Sequence, residues 1–175
     1  DVLNKDHPRL PLWEAFRVGV IHEFVRRIKT LRDGVAPDVP IILSAPAYYE
    51  PATTLGVNWA HSSFRPPMWY TTEKFRSRGL ADLVDELALV SRDPNPAALR
   101  EIMTGVKRVT RHQRPVGLVL LVEQYQGRPG RLLEAVQVLQ KGSFGVTVSD
   151  AGQIGALGMW DVLGEALAGA SGAGR

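Results

Sequence analysis

Apolar residues along the chain switch between two periods, and the switches mark out one helix followed by four strand–helix units. Over residues 12–33, Trp13, Phe16, Val20, Phe24, Ile28 and Leu31 recur at three- and four-residue steps. That spacing predicts one apolar helix stripe facing a core, with charged residues on the other side. Asp33-Gly34 supplies the stop, glycine taking the left-handed cap. PIILSAPAYY, residues 40–49, is a short apolar run without polar alternation. Such a run predicts a strand buried on both faces, as in a parallel sheet. Residues 50–80 are rich in proline, glycine and aromatics and predict a long loop with one short helix near 57–64. A loop of this length in a compact domain is usually functional or disordered, and its aromatic content argues against disorder.

The rhythm then resumes. LVDELALVS, residues 83–91, predicts the next strand. Asn95 reads as an N-cap and Pro96 as a first-turn residue of a helix that turns Leu99, Ile102, Met103, Val106 and Val109 inward, until Pro115 stops it. VGLVLLVE, residues 116–123, is the clearest buried strand. A Gly127-Arg128-Pro129-Gly130 turn leads into a helix carrying Leu132, Leu133, Val136 and Leu139. GVTVSD at 145–150 predicts a fourth strand. A last helix spans about 157–168, with Leu157, Trp160, Leu163 and Leu167 inward, and residues 171–175 form a flexible tail.

Such alternation implies an α/β fold whose parallel strands are joined by right-handed crossovers. Two architectures fit it, half of an eight-fold barrel or a small doubly wound sheet. No GxGxxG or Walker sequence follows any strand, which weakens the nucleotide-binding version. The expected fold is the C-terminal half of a (β/α)8 TIM-like barrel over residues 1–170, with outer helices and the N-terminal half missing. Such a half leaves two strand edges unpaired, and open edges invite association.

Composition changes this picture little. The net charge of +3 rests on residues such as Arg26, Arg27, Lys29, Arg32, Arg100, Lys107, Arg108 and Arg111. They fall on the polar faces of two predicted helices, as solvated outer faces rather than a nucleic-acid surface. The absence of cysteine excludes disulfides, thiolate nucleophiles and zinc–thiolate sites. No apolar run is long enough for a membrane span. His7, His22, His61 and His112 lack metal-ligand spacing, so neither metal nor cofactor is expected, though His61 lies in the long loop. There is no Gly-x-Ser-x-Gly elbow, and no Ser-His-Asp set is recognisable.

Four segments in order resemble the bacterial glycosyl-hydrolase-like barrels of the family 10-like group. WEAFRVGVIHEFVRRI at 13–28 resembles the helix after the fourth barrel strand. DVPIILSAPAYYEPATTLGVNW at 38–59 resembles the fifth strand and its loop, which in the family ends Gly-x-Asp-Trp and here reads Gly56-Val57-Asn58-Trp59. RGLADLVDELALVS at 78–91 resembles the sixth strand, although Ala88-Leu89-Val90-Ser91 replaces the family's Pro-Met-x-Tyr. LLEAVQVLQKGSFGVTVSD at 132–150 resembles the last helix and eighth strand. The resemblance implies a barrel acting on or binding a polysaccharide or other glycan. The departures at Asn58 and at 88–91 admit an inactive, carbohydrate-binding or scaffold member. An unrelated barrel enzyme of small-molecule metabolism is a further alternative, with the Gly127–Gly130 loop as its phosphate site.

In a barrel of this kind the site lies at the C-terminal ends of the strands. Glycoside cleavage needs two carboxyl groups, one to protonate the leaving oxygen and one to attack or to activate water. Glu123, Asp150 and Glu50 stand at predicted strand ends and are the catalytic candidates. Glu123 directly follows an apolar strand, where a charge is not core filler. Asp150 also fits a helix N-cap, and the proline after Glu50 also fits a plain loop. Tyr48, Tyr49, Trp59, Trp69 and Tyr125 are candidate sugar platforms, since an aromatic ring offers a flat apolar face with a polar edge. Gln124 lies between Glu123 and Tyr125 and joins the substrate-binding set.

Overall fold

A computed structural model describes residues 7–66, 72–142 and 145–171 of the 175-residue chain. The elements are α1 (Leu10–Val35), β1 (Ile42–Pro46), α2 (Tyr49–Thr54), α3 (Glu73–Arg76), β2 (Glu86–Ser91) and α4 (Pro96–Thr110). They continue with β3 (Val116–Leu121), a 3-10 turn (Val122–Tyr125), α5 (Pro129–Lys141), β4 (Gly145–Ser149), α6 (Ala151–Ala156) and α7 (Trp160–Ser171). All four strands are parallel and lie side by side in chain order. The fold is therefore α/β, a four-stranded parallel sheet with flanking helices. The order never reverses, so right-handed crossovers carry the returning helices to one face. There α4 packs against α5, and α5 against α7.

The best-predicted elements form for the reasons legible in their sequence. Asn95 caps α4, its Oδ1 accepting from the Ala97 amide at 3.0 Å, with Pro96 in the first turn. Leu99, Ile102, Met103, Val106 and Val109 of α4 are all buried. In α5, Leu132, Ala135, Val136 and Leu139 pack inward. Between helices and sheet lies the core, built on Leu87 and Leu89 of β2 and Leu118 and Leu120 of β3. At the opposite end from the strand C-termini, Arg32 clasps three elements together. Its Nη1 meets Asp85 Oδ2 at 3.0 Å and donates to the Val39 carbonyl at 2.9 Å. The same Asp85 oxygen accepts from the Ile41 amide at 2.8 Å. That amide first, and the Arg32 charge second, hold the Asp85 carboxyl below its ordinary range.

Three expectations need correction. The strands are buried on one face only. In β2 the pattern alternates, with Leu87, Leu89 and Ser91 buried while Glu86, Ala88 and Val90 are half-buried. By register, the less covered face carries the rows Ser44–Ala88–Gly117–Gly145 and Pro46–Val90–Val119–Thr147. Secondly, the apolar stripe of α1 faces outward. Phe16, Val20, Phe24 and Leu31 are each more than half exposed, while Leu10, Glu14, Ala15, Val18 and Val25 turn inward. Periodicity places such a stripe on one side of a helix but does not say which side finds a partner. Thirdly, the last helix, α7, begins at Trp160, after a short α6 that was not expected. Leu163 turns inward as expected, joined by Ala166, whereas Trp160 and Leu167 are exposed.

Boundaries differ locally as well. Helix α1 runs past Gly34 to Val35, and the long loop folds as α2 and α3 rather than as a helix near 57–64. Strand β1 spans only Ile42–Pro46 because Tyr49 already begins α2.

Glu14 is a carboxyl on the inner face of α1, one turn from Val18, and 3% exposed. Its Oε2 has no hydrogen-bond partner among the described residues, and burial pushes its pKa up against the opposing Arg17 charge. The folded state thus holds this proton longer than the unfolded chain does. Stability from this site is full below the unfolded value of about 4.3 and falls as pH rises from there through the folded value. Glu14→Gln therefore stabilises the protein by about 1 kcal/mol near pH 7. In denaturant titrations at about pH 3.5 and about pH 7, the gain appears only at the higher pH, and an equal gain at both contradicts this account.

Candidate functional site

Parallel strands bring all four C-terminal ends to one edge of the sheet, and each hands the chain to a different local structure. β1 passes through Ala47 and Tyr48 into α2, and β2 leaves through Arg92 and Asp93. β3 tightens directly into the 3-10 turn, and β4 reaches α6 through Asp150. Beside the ends of β1 and β2 lies a groove of about 540 Å³, lined among others by Ser44, Pro46, Tyr48, Leu55, Val90 and Arg92. Its walls are mainly apolar, and among the described residues Arg92 is the one charged residue in its lining.

Asp93 organises the rim of this groove. Its Oδ1 accepts from the Asn95 amide at 2.9 Å and its Oδ2 from the Tyr48 hydroxyl at 3.4 Å. Its own amide donates to Ser91 Oγ at 3.3 Å. Burial, then the Asp93 charge, raises the pKa of Tyr48. The same two causes push Tyr125 up to about 12. The Tyr125 hydroxyl has no hydrogen-bond partner among the described residues. Burial first, and Asp93 second, favour the protonated form of both phenols, and Asp93 steadies the Tyr48 ring, which is 47% exposed beside the groove.

Behind the rim, Asn58 ties the long loop to the end of β1. Its Oδ1 accepts from the Tyr49 hydroxyl at 2.7 Å and the Ala60 amide at 3.3 Å, and its Nδ2 donates to the Phe75 carbonyl at 2.9 Å. The Tyr49 ring meets Trp59 and Phe64 edge-on at 5.2 and 5.6 Å between centroids. Trp59 donates its indole N–H to the Pro46 carbonyl at 3.1 Å. Asn58 and Trp59 are each 1% exposed, so this cluster is wall rather than binding surface.

The sequence-predicted residues divide accordingly. Glu123 is exposed in the 3-10 turn, with Gln124 half-buried beside it. Asp150 is exposed on the neighbouring strand end and caps α6, its Oδ1 accepting from the amides of Gly152 at 2.6 Å and Gln153 at 3.3 Å. The 3-10 turn and α6 touch, which places Glu123 and Asp150 on adjoining structures. Glu50 falls in α2, after β1. Trp69 lies outside the described residues. Trp59 and Tyr125, at 1% exposure, offer no face to a sugar, and Tyr49 is committed to Asn58 and two rings. Tyr48 is the aromatic candidate that remains open at the groove.

The structure also assembles a set that the sequence did not reveal. Ser63 Oγ lies 2.7 Å from His61 Nδ1, and His61 Nε2 lies 3.1 Å from Asp82 Oδ1. The Ser63 amide also donates to His61 Nδ1, and the Ser62 amide donates to Asp82 Oδ2. The His61 amide is bonded to Val109, near the C-terminus of α4. Helix α4 ends where β3 begins, so this lock belongs to the end of the sheet opposite the groove. Arg92 and Asp93 directly follow β2, where the strand-end rule is the signal that could have found them. Among the described residues, no group of three His, Cys, Asp or Glu is placed to hold a metal ion, and no helix is long and apolar enough to cross a membrane. Comparison with protein-family models, curated proteins and solved structures returned no match.

Two substitutions test these assignments. Asn58→Asp puts a carboxylate against the Phe75 carbonyl with no proton to donate, and costs roughly 2–3 kcal/mol, read as a lower denaturant midpoint. Tyr125→Phe removes a buried hydroxyl that has no partner and leaves stability within about 0.5 kcal/mol of the parent or raises it. Spectrophotometric titration of that variant lacks the phenol that ionises only at about 12. A large loss of stability in Tyr125→Phe means that the hydroxyl is bonded after all.

Proposed function

We propose that this chain is the C-terminal half of a (β/α)8 TIM-like barrel of glycoside-hydrolase-like type, and that its strand-end rim takes a polysaccharide or other glycan. The groove beside an exposed Tyr48, at the C-terminal ends of β1 and β2, is the observation that carries this reading. Barrels of this kind place their chemistry at that edge, and a half-exposed ring next to an apolar cleft suits the face of a pyranose. Glu123 and Asp150 are the acid and its partner, with Glu50 at a third strand end.

The missing N-terminal half is the partner that completes the barrel. Three features support it. The strand sequences are apolar enough for burial on both faces, yet Val119 and Leu121 are only partly covered. The order β1-β2-β3-β4 continues without a switch point. Finally, the apolar stripe of α1 and Ile42 of the edge strand β1 are exposed, as a preceding strand–helix unit would explain by covering them in the parent.

A second reading, binding without hydrolysis, is favoured by two observations. Asp150 spends one carboxylate oxygen on capping α6, and Asn58 serves the wall where the resembled family has an acid. The parent protein containing the whole barrel, screened on a polysaccharide panel, tests both readings. Release of sugars that falls by at least about a hundredfold in Glu123→Gln and in Asp150→Asn supports hydrolysis through this pair. Unchanged release in both variants removes them from the mechanism. Retention in affinity electrophoresis without product supports the binding barrel, and no retention on any glycan overturns the proposal.

A further inference from the structure

Arg92 is exposed at the end of β2 and lines the groove beside Tyr48, Pro46 and Val90. Among the described residues its guanidinium makes no hydrogen bond or ion pair. Arg92 shares this with Arg100, Arg108, Arg111, Arg128 and Arg131, while several other arginines are engaged. Arg26 and Arg27 hold Glu23, Arg32 holds Asp85, Arg76 holds Glu73, and Arg78 and Arg114 donate to the carbonyls of Ala15 and Ala81. The nearest carboxylate in sequence, Asp93, is committed to the Tyr48 hydroxyl and the Asn95 amide and does not line the groove.

This arrangement constrains what fills the groove. A neutral ligand seated on Pro46, Val90 and Leu55 covers the guanidinium and gives it nothing in return. Burying a cation without a partner is costly, so such a ligand loses affinity. A ligand that brings an oxyanion to Arg92 gains a bidentate, charge-assisted pair in a mostly apolar setting, where such pairs are strongest. The Tyr48 ring, steadied by Asp93, stands next to the same spot for the apolar face of a sugar.

Resting on the glycan reading above, we infer that the groove is specific for an acidic sugar, one whose ring carries a carboxylate. Arg92 is its anchor and Tyr48 its stacking face. Guanidinium forks also match phosphate and sulfate, so the test separates these sources of the oxyanion.

Calorimetric titrations of the parent protein containing the whole barrel use trigalacturonate, its fully methyl-esterified form and a sulfated galactose oligomer. Each is run against the parent, Arg92→Gln and Arg92→Lys. The acid is expected to bind about tenfold or more tightly than its ester. Arg92→Gln is expected to erase that preference, and Arg92→Lys to keep part of it, since a point charge replaces the fork. The preference also shrinks as salt is raised toward about 0.15 M. Equal binding of acid and ester, or a preference that survives in Arg92→Gln, overturns the inference while the bound ester leaves the glycan reading standing. Tighter binding of the sulfated oligomer than of the acid overturns the carboxylate assignment. Failure of all three ligands, with no retention on any other glycan of the panel, overturns both.

Discussion

The constraint behind this structure is that four parallel strands, each hydrogen-bonded to the next in chain order, must be reconnected by a segment running the opposite way. Parallel pairing does not allow a tight hairpin. Each return therefore takes a crossover, and a non-reversing order carries these crossovers to one side. Two consequences follow from that single requirement. The helices α4, α5 and α7 bury one face of the sheet and leave the other half-covered. Every strand also points its C-terminus at the same edge, so residues distant in sequence, from Tyr48 to Asp150, are gathered there without any direct contact being needed to bring them together.

Much of this was legible in the chain, and the legible parts share a cause. Helix α4 carries its own boundary chemistry in Asn95 and Pro96 and its own inner face in Leu99 through Val109, so local signals and packing agree. Strand β3 is a run of apolar residues bounded by Pro115 and by Glu123, which leaves little choice of element. Helix α1 misled for a physical reason. A stripe holding Trp13, Phe16 and Phe24 is more apolar than the face holding Glu14, Ala15 and Val18, yet the smaller side chains are the ones that admit α3 and its Phe75 closely. Size complementarity between neighbours is not visible in one helix read alone.

The candidate site was legible at the level of the edge and less so at the level of residues. The strand-end rule places Tyr48, Glu123 and Asp150 at that edge because it depends only on where strands stop. Tyr125 at a strand end and Trp59 in the long loop are both buried, since a large aromatic is as well suited to closing the core as to facing a ligand. Asp93 and Asn58 were underrated because their importance lies in what they hold. Asp93 fixes one phenol and Asn58 joins Tyr49 to the Phe75 carbonyl, and neither link is between residues adjacent in sequence.

The Arg32–Asp85 clasp sits at the far end of the sheet from the groove, joining the C-terminal turn of α1 to the entries of β1 and β2. Register between the first two strands is thereby pinned away from the groove. The loops at the opposite rim are released from that duty. Mutational drift in Tyr48, Leu55 or Arg92 can reshape the groove while the pairing of the strands beneath stays as it was.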